Sequence, residues 1–400
     1  MSEGKKMYVG IDVGKKSHQV NFINPTKFKK DLKITNDRDG FEEFTNRLNR
    51  YRRDNYDIEI ACEPTGHYWE NLGRHLKEDG FVVKLVSPLH TSRYKELLDN
   101  SPQKDDYKDS RVISQLLKEG MTLHENLPQE PYAGIRDLIH HREDLVEEKT
   151  RLSNKLTVWL DRRFPEYRGL FSELFGATSL GLLEEYGGPQ KLREAPLDEL
   201  TEKIRSLSHG KLGKERAKEV KARAEETIGK NIAPHSAQLI LDHLLARIRP
   251  LLVQIKRVEK AVKEKVNELD EGKYLQSIPG VGWWGAAVFL GEVGDTRRLP
   301  RAKSVVKIAG LNLYLRQSGK FKGELHITKR GRPLLRKMAY LIAKSAINDN
   351  EEFASFYQRK IDKGKKSQSA LTALGAKVLR VMYGVVKNEG YYKPLEDRLG

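Results

Sequence analysis

Four carboxylates, Asp12, Glu63, Asp106 and Asp109, stand in local contexts that suit hard-cation chemistry. Asp12 lies in Tyr8-Val9-Gly10-Ile11-Asp12-Val13-Gly14, a short β-branched run closed by glycine, which predicts a buried strand. Glu63 ends a second such run, Asp57–Glu63, and Pro64 stops it. Asp106 and Asp109 open a helical stretch, where a spacing of three puts both on one face. An acid set in an apolar strand loses hydration, at a cost on the order of several kcal/mol unless a cation meets it. Oxygen ligands converging from strand ends and a helix suit Mg²⁺ or Mn²⁺. Helix capping or simple solvation is the competing reading, and for Asp109 alone it is the better one. For Asp12 and Glu63, both expected within strands, it is not.

A second kind of chemistry lies downstream. Ser277-Ile278-Pro279-Gly280-Val281-Gly282 predicts a tight glycine hairpin between helices. The amides of Gly280 and Gly282 can approach a phosphate closely there, in the manner of a helix-hairpin-helix element. Ser318 sits in Arg316-Gln317-Ser318-Gly319-Lys320, a glycine turn amid cations, where residue type alone favours a turn former or phosphate donor over a nucleophile. Lys320, Lys322, Lys329, Arg330 and Arg332 add further candidate backbone contacts, with Arg316 before them. From Arg297 to Lys344 there are fourteen Lys and Arg against one acid, Glu324. So nearly single-signed a stretch points to a phosphate-contacting surface.

The elements that must position these groups follow from pattern. Strands are expected at Met7–Val13, His18–Asn24 and Phe28–Thr35, an antiparallel meander. An amphipathic helix over Asp39–Arg53, strand Asp57–Glu63, helix His67–Glu78, strand Phe81–Ser87, a helix near Leu89–Leu98 and the helix from Asp106 come next. Together they predict a mixed sheet covered by helices, in the order of the ribonuclease-H-like α/β fold. Leu138, Leu145, Leu152 and Trp159 recur every seven residues, as do Ile248, Ile255, Val262 and Leu269. Two long coiled-coil helices, Tyr132–Leu160 and Leu239–Leu269, are therefore expected, the second kinked at Pro250, paired either within or between chains. Residues 167–229 read as a helical insertion. A β-prone piece, Glu324–Thr328, precedes a helix running from about Lys329 to Ile347. The expected domains are 1–125, 130–272 and a mainly α 273–400.

Composition agrees with a nucleic-acid partner: the 400 residues carry a net charge of +17. Cys62 is the only cysteine, which excludes a disulfide framework and a cysteine-based zinc site. No apolar run approaches the ~20 residues of a membrane span, and no signal segment opens the chain, so a cytoplasmic protein without membrane attachment is expected.

In sum of motifs, the chain resembles the DEDD transposases, RuvC-like recombinases of one large class of bacterial insertion sequences. The likeness runs nearly the whole length. It rests on Gly10-Ile11-Asp12-Val13-Gly14-Lys15, Cys62-Glu63-Pro64-Thr65-Gly66, Lys104–Ser110, Ile278–Gly282, Ala309-Gly310-Leu311, Ser318-Gly319 and Ile327–Gly331. Ser110 departs from the usual alanine, and Asp105 beside Asp106 blurs the third ligand. The resemblance implies that Asp12, Glu63, Asp106 and Asp109 hold divalent metal and that Ser318 attacks a DNA phosphodiester. It further implies a noncoding bridge RNA as guide, donor and target DNA as substrates, and a dimer or tetramer working at the nucleoid. The long helices suggest that one subunit's acids are completed by another's serine. A RuvC-like junction nuclease is the alternative; an actin-like ATPase and a non-catalytic nucleic-acid-binding protein rank below it.

Overall fold

The computed structural model describes residues 5–24, 29–64, 66–98, 107–122, 129–230, 232–318 and 321–394. Contacts divide the chain into two units, Met1–Leu127 and Pro128–Gly400.

The first unit holds β1 (Lys5–Asp12), β2 (Ser17–Ile23), β3 (Lys29–Thr35), α1 (Arg38–Arg53), β4 (Tyr56–Cys62), α2 (Tyr68–Glu78), β5 (Val83–Leu85), α3 (Pro88–Leu98) and α4 (Lys108–Lys118). One sheet runs β3-β2-β1-β4-β5, antiparallel across β3-β2-β1 and parallel across β1-β4-β5. That is the expected meander followed by strand-helix repeats, an order consistent with the ribonuclease-H-like arrangement. β5 is shorter than expected. It pairs only with β4, at the sheet's edge, over three residues.

Strand alternation sorts the two faces. Met7, Val9 and Ile11 point to a core built with Phe41, Phe44 and Leu48 of α1 and Trp69, Leu72 and Leu76 of α2. On the opposite face Ala61 and Val86 pack against Val112, Ile113, Leu116 and Leu117 of α4. Gly10 lets α4 settle directly on β1: a Cβ there would stand 2.3 Å from both the Ser110 carbonyl oxygen and the Ser114 amide nitrogen. A polar clamp holds the same contact. Ser114 Oγ donates to Asn21 Oδ1 at 2.6 Å, Asn21 Nδ2 donates to Asp31 Oδ1 at 2.7 Å, and Arg111 pairs with Asp31.

The second unit is built on α5 (Tyr132–Arg163) and α10 (Pro234–Glu268). These helices pair within the chain and run antiparallel: Arg142 meets Glu259 at 2.7 Å, Arg247 meets Glu148 at 2.9 Å, and Trp159 Nε1 donates to the Ala237 carbonyl at 2.9 Å. Leu145, Leu152, Leu156 and Trp159 share a core with Leu241, Leu244, Ile248 and Leu251. Helix α10 is continuous through Pro250, which is exposed, so the carbonyl its ring frees lies on the side open to water. The expected insertion is a 3₁₀ turn (Pro165–Gly169) and α6 (Ala177–Tyr186), α7 (Pro189–Glu194), α8 (Leu197–Leu207) and α9 (Lys214–Glu225), wrapped on the Trp159 end of the pair.

At the other end lie α11 (Asp270–Gln276), α12 (Trp283–Val293), α13 (Ala302–Ile308), β6 (Leu313–Ser318), β7 (Phe321–Ile327), α14 (Pro333–Asp349), α15 (Glu351–Asp362) and α16 (Ser367–Lys387). Helix α12 is apolar nearly all round and is accordingly buried. The single β-prone piece expected at Glu324–Thr328 is one arm of a hairpin, β6-β7, because Leu313–Ser318 supplies its partner. By length and composition α16 could cross a membrane, contrary to the expectation that no run would; Leu374, Val378, Leu379 and Met382 on it pack into the protein core.

Candidate active site

Asp12 is the last residue of β1 and, two residues after Gly10, lies on the α4 face of the sheet. Asp109 is the second residue of α4, beside the Ser110 carbonyl that covers Gly10. Glu63 is not in a strand as expected. The β1–β4 register ends at Ile11–Cys62, so Glu63 follows β4 directly, level with Asp12 at the carboxyl ends of two parallel strands. In α/β sheets that edge is where ligands bind. Asp12, Glu63 and Asp109 are all half-buried.

Electrostatics tie the three together. The Asp12 carboxyl is pushed up to about 6, first by burial and then by the negative charges of Asp109 and Glu63, with Lys95 opposing. Lys95, from α3, places its Nζ 2.5 Å from Asp109 Oδ1. It was not foreseen, since nothing in the sequence links a lysine of α3 to an acid of α4. Asp106 lies outside the described residues, and α4 itself starts at Lys108. Among the described residues no three His, Cys, Asp or Glu side chains are grouped so as to hold a metal ion. The donor set nonetheless fits a hard cation: Asp12, already forced toward its protonated form, feels the negative charge of both Asp109 and Glu63.

The serine region is a separate construction. Ser318 ends β6 and pairs with Phe321, while Gly319 and Lys320 lie outside the described residues. Arg316 and Lys322 fall on β6 and β7. The base of this hairpin is stitched shut. Thr328 N–H donates to Asn312 at 2.8 Å, Lys329 N–H to Gly310 at 2.9 Å, and Arg332 N–H to Ile308 at 2.7 Å. Gly310 (φ +67°) and Gly331 cross so closely that a Cβ on Gly331 would lie 2.2 Å from the Ile308 carbonyl oxygen. Thus Ala309-Gly310-Leu311 and Thr328–Gly331, far apart in sequence, form one joint.

Of the expected phosphate contacts, Lys329 and Arg330 are exposed, as are Lys303, Lys307, Lys337 and Lys344. Arg332 is different. Its guanidinium turns inward to the Glu292 carboxylate at 3.1 Å, so it is an internal ion pair and not a surface contact. The glycine hairpin also divides. Gly280 (φ +81°) is a packing residue, because a Cβ there would come within 2.7 Å of the Ala346 backbone of α14. Gly282 caps α12, is exposed, and has nothing within 4 Å of a built Cβ. Glu292 belongs to no motif; the only signal for it in the sequence is that it is the single acid in the apolar run Trp283–Val293, where a charge is buried only when paired.

Comparison with known proteins adds two family matches. Residues 9–165 match a transposase family of the DEDD, IS110 type, and residues 272–358 match the transposase IS116/IS110/IS902 family. The chain is 26% identical to a 43.6 kDa insertion element IS110 protein of Streptomyces coelicolor, over 98% of this chain and 96% of that one. A mini-circle putative transposase for IS117 from the same organism is 24% identical over 90% of this chain and 88% of its own. A pilin gene-inverting protein of Moraxella lacunata is 27% identical over 36% of this chain and 46% of its own.

Proposed function

We propose, for a chain that belongs to the IS116/IS110/IS902 family of transposases, enzymes of DNA cleavage and strand transfer, a serine-based recombination assisted by divalent metal. The observation that carries this reading is Asp12, whose proton is held to about pH 6 by burial and by Asp109 and Glu63 at the end of two central strands. Asp12, Glu63, Asp109 and Asp106 would hold Mg²⁺ or Mn²⁺, which when bound lowers the pKa of a hydroxyl and stabilises a leaving oxygen. Ser318 Oγ attacks a DNA phosphorus; the new Oγ–P bond forms as the P–O bond to one sugar breaks. The serine proton ends on that sugar hydroxyl. A free hydroxyl of another strand then reverses the step, and the ester conserves the bond energy so that no ATP is needed.

A noncoding bridge RNA is proposed to choose donor and target DNA, leaving the protein to hold backbones through Lys329, Arg330 and the Gly282 end of α12. The assembly is proposed to be a dimer or tetramer acting in the cytoplasm at the nucleoid. The functional segments are 1–125 for the acids, 130–272 for the spacing helices, read as a coiled coil, and 273–400 for the serine. The test is to isolate protein–DNA adducts formed with the element's RNA and Mg²⁺ and to map the esterified residue. Adducts at Ser318 that vanish in Ser318→Ala are expected. Undiminished DNA cutting by Ser318→Ala would instead favour a junction nuclease.

A further inference from the structure

Glu292 is the one acid of α12 and is 1% exposed, yet the proposed chemistry makes no use of it. Its carboxylate is met from two other elements. His140 Nε2, on α5, lies 3.2 Å from Oε1, and Arg332 Nη1 lies 3.1 Å from Oε2. The same Arg332 Nη1 donates to the Glu292 backbone carbonyl. Burial works to raise the Glu292 carboxyl, but His140, Arg332 and Arg136 hold it below its ordinary value, so the residue is an anion.

Arg332 is also the N-cap residue of α14, and its own amide closes the joint at the base of the β6-β7 hairpin. Lys329 and Thr328, three and four residues earlier, bond across to Gly310 and Asn312 at the other leg. One guanidinium therefore connects the buried helix α12 to the joint from which both legs rise. We infer that Glu292 and Arg332 are positioning residues that fix the angle of the hairpin carrying Ser318 and so place the serine for attack. The inference rests on the reading of Ser318 as nucleophile.

Lever geometry explains why the anchor must be stiff. Leu313 to Ser318 spans roughly 16 Å at about 3.3 Å per residue. A tilt of about 10° at the base moves the end by roughly 3 Å, whereas a misplacement of about 1 Å can already cost a hundredfold in rate. An arginine whose Nη1 grips one residue at two oxygens resists such tilting, whereas a lysine at the same place keeps the charge but carries it on a flexible stem instead of a rigid planar guanidinium.

Glu292→Gln and Arg332→Lys, both close to the natural volumes, test this. Adduct formation, DNA affinity and the mobility of a spin label at Tyr314→Cys are measured together; labelling is selective because the sole native cysteine, Cys62, is buried. Adduct formation slowed about tenfold or more, affinity within about threefold, and a more mobile label are expected. Natural adduct rates and label mobility in either folded variant overturn the inference. Should both variants fail to fold, hydrogen exchange of the unmodified chain decides. The Thr328, Lys329 and Arg332 amides must exchange more slowly than those of β6 and β7, and equal or faster exchange overturns the anchor. Ser318→Ala is run alongside: adducts persisting in it sink the nucleophile reading, while label and exchange still judge the anchor.

Discussion

At the scale of single residues, Asp12 carries the sharpest consequence. Its carboxyl sits near 6 in the folded chain against an ordinary 3.8, so the native state binds the proton more tightly than the unfolded one. Stability from this group is therefore greatest below about pH 4 and is lost as pH rises through 6. In chelator, Asp12→Asn should match the natural protein at pH 4 and melt at a higher temperature above pH 7. Added Mg²⁺ or Mn²⁺ should raise the melting temperature of the natural protein at pH 7.5 and do little for the variant. Melting curves that stay parallel from pH 4 to 8 would show that Asp12 is not under this strain. Lys95 supplies part of the missing positive charge through Asp109, which explains how acids that repel one another coexist in the folded chain.

Among elements, the glycine turn between α11 and α12 separates two roles that its sequence merges. Gly280 has a left-handed backbone and touches α14, whereas Gly282 is open at the start of α12. Gly280→Ala should cost about 1–3 kcal/mol through the clash with Ala346, with backbone strain adding to it. Gly282→Ala should change stability by no more than about 0.5 kcal/mol. If the α12 amides meet a DNA or RNA backbone, the same Gly282→Ala change lowers affinity several-fold. Urea denaturation and a binding titration read both effects; equal stability losses at the two positions would refute the division. The motif was legible because glycine spacing is local. Which glycine packs was not, since Ala346 lies 66 residues away in sequence from Gly280.

For the whole molecule, the acids and the serine belong to different compact units, Met1–Leu127 and Pro128–Gly400. If each active site takes its acids from one subunit and Ser318 from another, mixed oligomers of Asp12→Asn and Ser318→Ala chains regain activity that neither has alone. Up to about a quarter of natural activity is expected when chains exchange freely in a dimer, since half of the dimers are mixed and each mixed dimer has one intact site of two. Mixing that restores nothing, under conditions where labelled subunits demonstrably exchange, would place each site within one chain. The α5–α10 helix pair was recognisable from its seven-residue repeats. Its pairing was not: the salt bridges of Arg142 with Glu259 and Arg247 with Glu148, the Trp159–Ala237 hydrogen bond and the shared core reveal two antiparallel helices of one chain.

Periodicity and residue type, both local properties, determined the order of strands and helices in the first unit, the two long helices, the glycine turn before α12, the basic stretch and three of the acids that the fold brings into electrostatic contact. Tertiary structure alone decided the partners. It set Lys95 against Asp109, drew Arg332 off the surface onto Glu292, and turned Gly280 into a packing contact. A charge buried by folding takes whichever opposite charge the packing brings near, and that choice depends on elements distant in the chain. No window of neighbouring residues contains it.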